Sequence, residues 1–229
     1  MQAMQNTDQE PMPDTTSTEP KQKQHTPRQV SPVLEKLFEL HPNLFGVKFL
    51  PLKLGIFHDL LARHPDAFKK DELKLAMGQH ARSTRYLECV AAGLDRHDLD
   101  GVAVEPVAPE HVHHAILEVF RRRQARSKDD LRPRLTMLLK QAIENSGLAL
   151  DDYAGLVRVQ DEATNALLDD AMTELKAEAA KREALMVTFK ASGKTEAEFA
   201  DMYGMNLKLV GSVLARVRAE EATKTDALT

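Results

Sequence analysis

The stretch STRYLECVAAGLDRHDLDGVAVEPVAPEHVHHAILEVFRRRQAR, residues 83–126, contains a helix, a hairpin and a second helix in succession. Ser83 is placed to cap the first helix, whose inward side is formed by Tyr86, Leu87, Val90 and Ala91. From residue 93 to 107 the helical period fails, and Asp100-Gly101 marks a tight turn, so we predict a short β-hairpin. Pro109-Glu110 then opens a second helix that runs into a basic stretch. This order indicates a mostly α fold with one small hairpin.

The same helical period extends to both sides of this stretch. Upstream, Ser31-Pro32 has the sequence of a helix start, and Pro42 ends that helix. Further helices are predicted over 54–62 and from Asp71 onward. Downstream, helical patterns cover 131–145, before Gly147, and 161–189. The predicted fold class is therefore mostly α, with a compact α-rich domain followed by a helical C-terminal module.

Composition divides the chain into three parts. Residues 1–30 are rich in Gln, Thr, Pro and charge, and we predict that they are disordered. Residues 31–127 form the predicted α-rich domain, and residues 128–229 form the helical C-terminal region. Within that region, 195–218 resembles a helix-turn-helix: Thr195 can cap one helix, Gly204 supplies the turn, and apolar residues continue into a second helix.

Charge is distributed unevenly along the chain. The net charge is −4, yet residues 31–127 carry 14 basic and 13 acidic side chains, whereas 128–229 carry 14 and 18. Eight of the nine histidines also lie in 31–127, so the middle region can present a basic face despite the acidic total. The single cysteine, Cys89, fits a reducing compartment, and no secretory signal or bilayer-spanning stretch is found. We expect a cytoplasmic protein with no membrane partner.

Four strings in the middle region occur together: PLKLGI at 51–56, RYL at 85–87, GLDRHDLDG at 93–101 and EHVHHA at 110–115. Their order and spacing resemble the ProQ/FinO family of bacterial RNA chaperones over about residues 31–126. The resemblance implies a compact domain with a concave basic face, which in this family binds the base of an RNA stem-loop and the single-stranded 3′ tail after it. It also implies that these positions contact RNA: Lys53, Lys70, Lys74, Ser83, Arg85, Tyr86 and Arg96.

The chemistry of these residues suits such a role. Lys and Arg neutralise phosphates, and Tyr86 can stack on a base or hydrogen-bond a phosphate or ribose hydroxyl. Arg85 can equally be a structural partner of Asp98 or Asp100, two residues that we expect to shape the turn. Arg96 lies where the helical period fails, so we expect a turn to present its side chain. The sequence departs from the family pattern at Gly78, His80 and Thr84, where Arg, Tyr and Trp are frequent; Lys69, His80 or Arg82 are candidates to compensate.

The leading hypothesis is a non-enzymatic RNA chaperone that binds small regulatory RNAs and mRNA 3′ ends at terminator-like stem-loops, and so acts in post-transcriptional regulation. The alternative is a DNA-binding transcription regulator that acts through the helix-turn-helix-like unit at 195–218. No nucleotide-binding loop is complete, because Thr188 stands where such a loop needs glycine. His111 and His114 share a helix face without the further ligands of a zinc site, so no metal or other cofactor is expected.

Overall fold

The computed structural model describes residues 31–226, with only the backbone described for 223–226. The disorder predicted for residues 1–30 concerns residues outside this range. The described chain forms eleven helices and two strands: α1 (Pro32–Leu40), α2 (Pro42–Phe45), α3 (Ile56–Arg63), α4 (Lys70–Ala81), α5 (Thr84–Ala91), β1 (Arg96–His97), β2 (Ala103–Glu105), α6 (Pro109–Gln124), α7 (Arg132–Ser146), α8 (Leu150–Val157), α9 (Glu162–Ser192), α10 (Glu196–Met202) and α11 (Leu207–Asp226). The mostly α class with one small hairpin is confirmed.

Helix boundaries follow local capping chemistry. The Ser83 side chain accepts a hydrogen bond from the Tyr86 N–H and begins α5. Thr195 and Glu198 form a reciprocal capping box at the start of α10. Gly147, with φ of 66°, ends α7 in the left-handed region, where only glycine is unstrained. The short helices α2 and α8 were not predicted, because four and eight residues carry too little periodicity to be recognised.

The hairpin is shorter than the segment in which it was predicted. Strands β1 and β2 pair antiparallel, with Arg96 opposite Glu105 and His97 opposite Ala103. Leu52 adds a parallel bridge to His97, so the segment before α3 lies along β1. The expectation that a turn presents Arg96 is wrong: Arg96 lies in β1 and is only 8% exposed. Its position in the ladder directs the side chain into the fold instead of toward solvent.

The first hydrophobic core continues across residue 127, where we placed a domain boundary. It runs from Leu37 to Leu175 and centres on α6, which packs against α5 and also against α7 and α8. His113 of α6 and Tyr153 of α8 are both buried, and His113 Nδ1 lies 3.2 Å from the Tyr153 hydroxyl. Residues from Ser31 onward accordingly form one compact unit. Independent folding of 31–127 stays a prediction.

A second, smaller core contains the helix-turn-helix-like unit. The end of α9 packs with α10 and α11 around these buried residues: Met186, Phe199, Ala200, Val210, Leu214 and Val217. Gly204, with φ of 62°, lies in the turn between α10 and α11. The described region thus ends in the predicted helix-turn-helix-like arrangement. Within the described residues, every helix is too short or too polar to cross a membrane.

Candidate nucleic-acid interface

The backbone of Leu52 is held by two of the predicted site residues. Its N–H donates to the Tyr86 hydroxyl at 3.1 Å, and its carbonyl accepts from Arg96 Nη1 at 3.0 Å. Tyr86 and Arg96 are each 8% exposed, so both bonds are shielded from water. Burial raises the pKa of Tyr86 and keeps the hydroxyl protonated. In this structure both side chains therefore fix the PLKLGI segment in place.

The same arginine also reaches the histidine-bearing helix. Arg96 Nη2 lies 3.1 Å from His111 Nδ1. A guanidinium has only donors, so His111 Nδ1 must accept, and His111 then carries its proton on Nε2. We call Leu52, Tyr86, Arg96 and His111 the Leu52 network. Each of the four sequence strings contributes one member, which explains physically why the strings occur together.

Lys53, which follows Leu52, is half-exposed and paired with a carboxylate. Its ammonium lies 2.9 Å from Asp59, and this hydrogen bond and charge raise the pKa of Lys53. Lys53 lines a groove of about 460 Å³ that also includes Arg63 and Asp100, whose side chains form two hydrogen bonds of 2.6 and 2.9 Å. Lys53 is thus at the surface, but a ligand phosphate must compete with Asp59 for it.

Asp98 shapes the hairpin turn, as we expected, whereas the Asp100 carboxylate pairs with Arg63. Asp98 Oδ1 accepts from the backbone N–H groups of Asp100 and Val102, at 2.9 and 3.0 Å. Arg85 contacts neither carboxylate, because Asp100 is taken by Arg63. Instead, the Arg85 guanidinium lies 4.4 Å from the centre of the Phe49 ring and donates to the Val47 carbonyl at 2.6 Å. Arg85 therefore remains exposed and without an acidic partner among the described residues.

The remaining site residues lie on α4 and at the start of α5. Lys70 and Lys74 are one turn apart on α4, and both are exposed. Neither forms an ion pair within the described part of the chain. Ser83 uses its hydroxyl to cap α5 by accepting from the Tyr86 N–H, and the other N–H groups of the first turn have no partner within the helix. These residues combine mobile cations with fixed backbone donors, the chemistry that holds phosphate.

His80, one of the departures from the family pattern, is buried and does not add a cation. Its ring packs against Phe45, Phe49 and Tyr86, with ring centres 4.7, 4.6 and 5.0 Å away. Burial, together with the charge of Arg85, lowers the pKa of His80 to about 4. His80 Nε2 is buried without a hydrogen-bond partner. His80 is therefore neutral near pH 7 and acts as part of the core.

Lys48 was not singled out from the sequence, yet it belongs beside this surface. It directly follows Val47, whose carbonyl anchors Arg85, and it is exposed. No described carboxylate forms an ion pair with it. Lys48 lies outside the four strings, and only the contact between Val47 and Arg85, 38 residues apart, brings it here.

The histidines of α6 divide between surface and core. His111 and His114 are exposed, whereas His113 is buried against Tyr153. Burial lowers the pKa of His113 to about 4, so it too is neutral near pH 7. In the part of the chain that the structure describes, no group of three or more His, Cys, Asp or Glu side chains is arranged to hold a metal ion.

The helix-turn-helix-like unit offers few free cations. Arg216 of α11 pairs with Glu144 of α7 and with Glu220, and Arg218 pairs with Glu196 at 3.1 Å. Lys208, near the start of α11, is exposed and has no ion pair among the described residues. The basic side chains that a DNA-reading helix would present are thus largely engaged within the protein.

Comparison with known proteins places the similarity in the region that contains the Leu52 network. A family model described as the ProQ/FINO family matches residues 27–132. Proteins named RNA chaperone ProQ from Shewanella pealeana and Idiomarina loihiensis are 41% and 42% identical to this chain over 87 residues. Each match covers 36% of this chain and 41% or 42% of the relative. The chain thus spans about two fifths of the length of the curated relatives it matches.

Two solved structures are also similar in sequence to this chain. A FinO-like RNA chaperone from Neisseria meningitidis is 29% identical to this chain, with a TM-score of 0.34. The match covers 36% of this chain and 85% of the Neisseria chain. A ProQ homolog from Legionella pneumophila is 30% identical to this chain, with a TM-score of 0.36. The match covers 49% of this chain and 98% of the Legionella chain. The assignment rests on the sequence matches: residues 27–132 of this chain match the ProQ/FinO family.

Proposed function

We propose that this protein is an RNA-binding chaperone that grips structured RNA through the surface formed by α4 and the start of α5. The observation that carries the proposal is a contrast in charge pairing. The exposed cations Lys70, Lys74 and Arg85 have no carboxylate partner among the described residues. Lys140 of α7 and Arg216 of α11, by contrast, are held by glutamates. Unpaired cations can neutralise phosphates without first breaking an ion pair.

The arrangement favours RNA that combines a duplex end with a single strand. The lysines of α4 form a short line that suits consecutive phosphates, and the α5 N-terminus offers backbone donors for a terminal phosphate or hydroxyl. The family model matches the residues that form this surface, and relatives named RNA chaperone ProQ are 41% identical to this chain over 87 residues. We infer that the ligands are terminator-like stem-loops with a 3′ tail, as in small regulatory RNAs and mRNA 3′ ends, and that binding serves post-transcriptional regulation without an enzymatic step.

The test is a binding series at fixed salt with one RNA hairpin. The hairpin is offered with its 3′ tail, with the tail removed, and with a 3′ phosphate, beside duplex DNA of matched length. We expect the tailed hairpin to bind most tightly and both 3′ changes to weaken binding. Equal affinity for all three RNAs would contradict the terminator proposal and leave only stem binding. Tighter binding to duplex DNA would overturn RNA as the ligand.

A matched pair of variants tests the surface itself. Lys70→Ala with Lys74→Ala removes two unpaired cations from α4, and Lys176→Ala with Lys181→Ala removes two exposed cations from α9. Losing two phosphate contacts should weaken binding by about tenfold or more and make the salt dependence shallower by roughly 1.4 to 1.8 in slope. The α9 variant should bind like the wild type. Equal loss in both variants would indicate nonspecific attraction by net charge and contradict the proposed surface.

The DNA-binding alternative has less support. The α10–α11 arrangement is compatible with groove binding, but Arg216 and Arg218 are in ion pairs, and α10 begins with the acidic residues Glu196 and Glu198. The duplex DNA arm of the binding series tests this alternative directly.

A further inference from the structure

Arg82 ends a row of positions on α4 that begins with the two unpaired lysines. Lys70, Lys74, Gly78 and Arg82 follow one another at intervals of four residues, and we call them the α4 row. Residues four apart on a helix are neighbours on its surface, and side chains lean toward the helix N-terminus. Arg82 is the C-cap of α4 and keeps right-handed helical dihedral angles, so it stays in register with the row.

The Arg82 guanidinium lies over Gly78, which has no side chain to exclude it. A Cβ atom at Gly78 would sit 3.3 Å from Arg82 Nη1 and 3.4 Å from Nη2. At these distances, a side chain at Gly78 would require the guanidinium to shift by a few tenths of an ångström. The absence of a side chain at Gly78 thus lets the guanidinium lie close against α4.

The backbone of Arg82 is fixed from several directions. Its N–H donates to the Gly78 carbonyl at 3.3 Å, and its own carbonyl accepts from Arg122 Nη1 at 2.8 Å. Arg122 Nη1 also lies 3.2 Å from Thr84 Oγ1, in the first turn of α5. Arg122 is thus a positioning residue that ties the α4–α5 junction to α6. The junction holds Arg82 one residue before Ser83, the cap of α5.

The guanidinium itself is free to meet a ligand. Arg82 is exposed, and its side chain forms no ion pair with any described residue. The same is true of Lys70 and Lys74, whereas Lys69, which is outside the row, pairs with Glu72. The three cations of the α4 row are therefore all without an ion pair among the described residues, and the row leads to the N-terminus of α5.

We propose that Arg82 is a further RNA-contacting residue, which takes the position above Gly78 and extends the phosphate-binding line from Lys70 and Lys74 to the start of α5. The inference rests on the proposed RNA-binding function and deepens it. A guanidinium at this point can hold a phosphate through two parallel hydrogen bonds, while the lysines contribute point charges. Arg82 would then fix the position of the RNA strand, while Lys70 and Lys74 neutralise the phosphates of that strand.

The experiment compares four full-length variants on a 3′-tailed RNA hairpin over a range of salt concentrations. They are Arg82→Ala, the exchange Gly78→Arg with Arg82→Ala, Lys74→Ala, and the control Arg134→Ala. Arg134 is an exposed arginine of α7 with no ion pair among the described residues, and α7 packs against α6 and α9. Thermal melting of each variant verifies that it is folded.

We expect Arg82→Ala to weaken binding by roughly three- to tenfold and to reduce the salt slope by about 0.7 to 0.9, the effect of one lost phosphate contact. The exchange variant should recover affinity to within about twofold of the wild type, because it returns a guanidinium to the row. Arg134→Ala should leave affinity and slope unchanged.

The failures are distinguishable. Wild-type affinity in Arg82→Ala, together with a loss in Lys74→Ala, would overturn the role of Arg82 and leave the proposed function intact. A folded exchange variant that binds as weakly as Arg82→Ala would overturn the idea that the row position is what matters. No binding of the hairpin by the wild type would overturn the proposed function itself.

Discussion

Arg96→Ala tests whether the Leu52 network is structural. The substitution removes the donor to the buried Leu52 carbonyl and the donor to His111 Nδ1. A hydrogen bond from a charged group contributes about 1.5–3 kcal/mol, and a buried carbonyl left without a donor adds its own desolvation cost. Because the His111 end is only part-buried, we expect a total loss of roughly 2–4 kcal/mol of unfolding free energy.

The assay is thermal and urea unfolding followed by circular dichroism at 222 nm. For a unit of this size, each kcal/mol corresponds to about 2–4 °C, so Tm should fall by roughly 5–15 °C. The control is Arg63→Ala, which removes an arginine from a pair whose side chains are 44% and 62% exposed. Exposed pairs contribute about 0–1 kcal/mol, so that variant should melt within a few degrees of the wild type.

Two results would refute this reasoning. If Arg96→Ala melts like the wild type, the network does not stabilise the fold. If it also binds the tailed hairpin about tenfold more weakly, Arg96 contacts RNA directly, as the family resemblance implies, and its bonds in the free protein are exchanged on binding. The structural account instead predicts that affinity falls in proportion to the unfolded fraction, and that Arg96→Lys, with a single ammonium, restores only part of the stability.

Three further predictions concern the core. The pKa values of His80 and His113 are lowered to about 4 from 6.5, so below pH 6.5 the unfolded chain binds protons that the folded chain does not. The protein therefore becomes less stable as the pH decreases. Between pH 7 and pH 5, each histidine should lower the unfolding free energy by about 2 kcal/mol. His80→Phe should remove about half of this fall in urea titrations at the two pH values, and an unchanged fall would contradict the assignment. Tyr153→Phe deletes the hydroxyl bonded to His113 and should cost about 1 kcal/mol at pH 7, measured by urea unfolding; a wild-type midpoint would argue against that bond. A fragment of residues 31–180 should melt well above a fragment of 31–126, because the latter exposes the α6 surface that packs against α7 and α8; equal melting temperatures would support the boundary at residue 127.

The sequence alone determined the helices that have their own start and stop signals. Ser83, Asp161 and Thr195 cap α5, α9 and α10 through side chains that bond a backbone N–H three residues later, an interaction that is complete within one turn. The tight turn of the hairpin at Gly101 is local in the same way. The four strings also identified the family before any contact was known, because their order and spacing are properties of the chain.

Only the tertiary structure decided what the site residues do. Arg96 donates to the Leu52 carbonyl, 44 residues away, and the Tyr86 hydroxyl accepts from the Leu52 N–H, 34 residues away. The residues next to Arg96 and Tyr86 in the sequence therefore indicate neither that these side chains are buried nor which group they bond. The prediction that Arg96 is presented by a turn was wrong for this reason. The continuation of the core past residue 127 likewise depends on packing between α6 and α7. The sequence of a helix shows that it has an apolar face, but not which other element packs against that face. The position of Arg82 over Gly78 also needed the structure. The interval of four residues places the two residues next to each other on the helix, but only the packed side chains show that the guanidinium lies over the glycine.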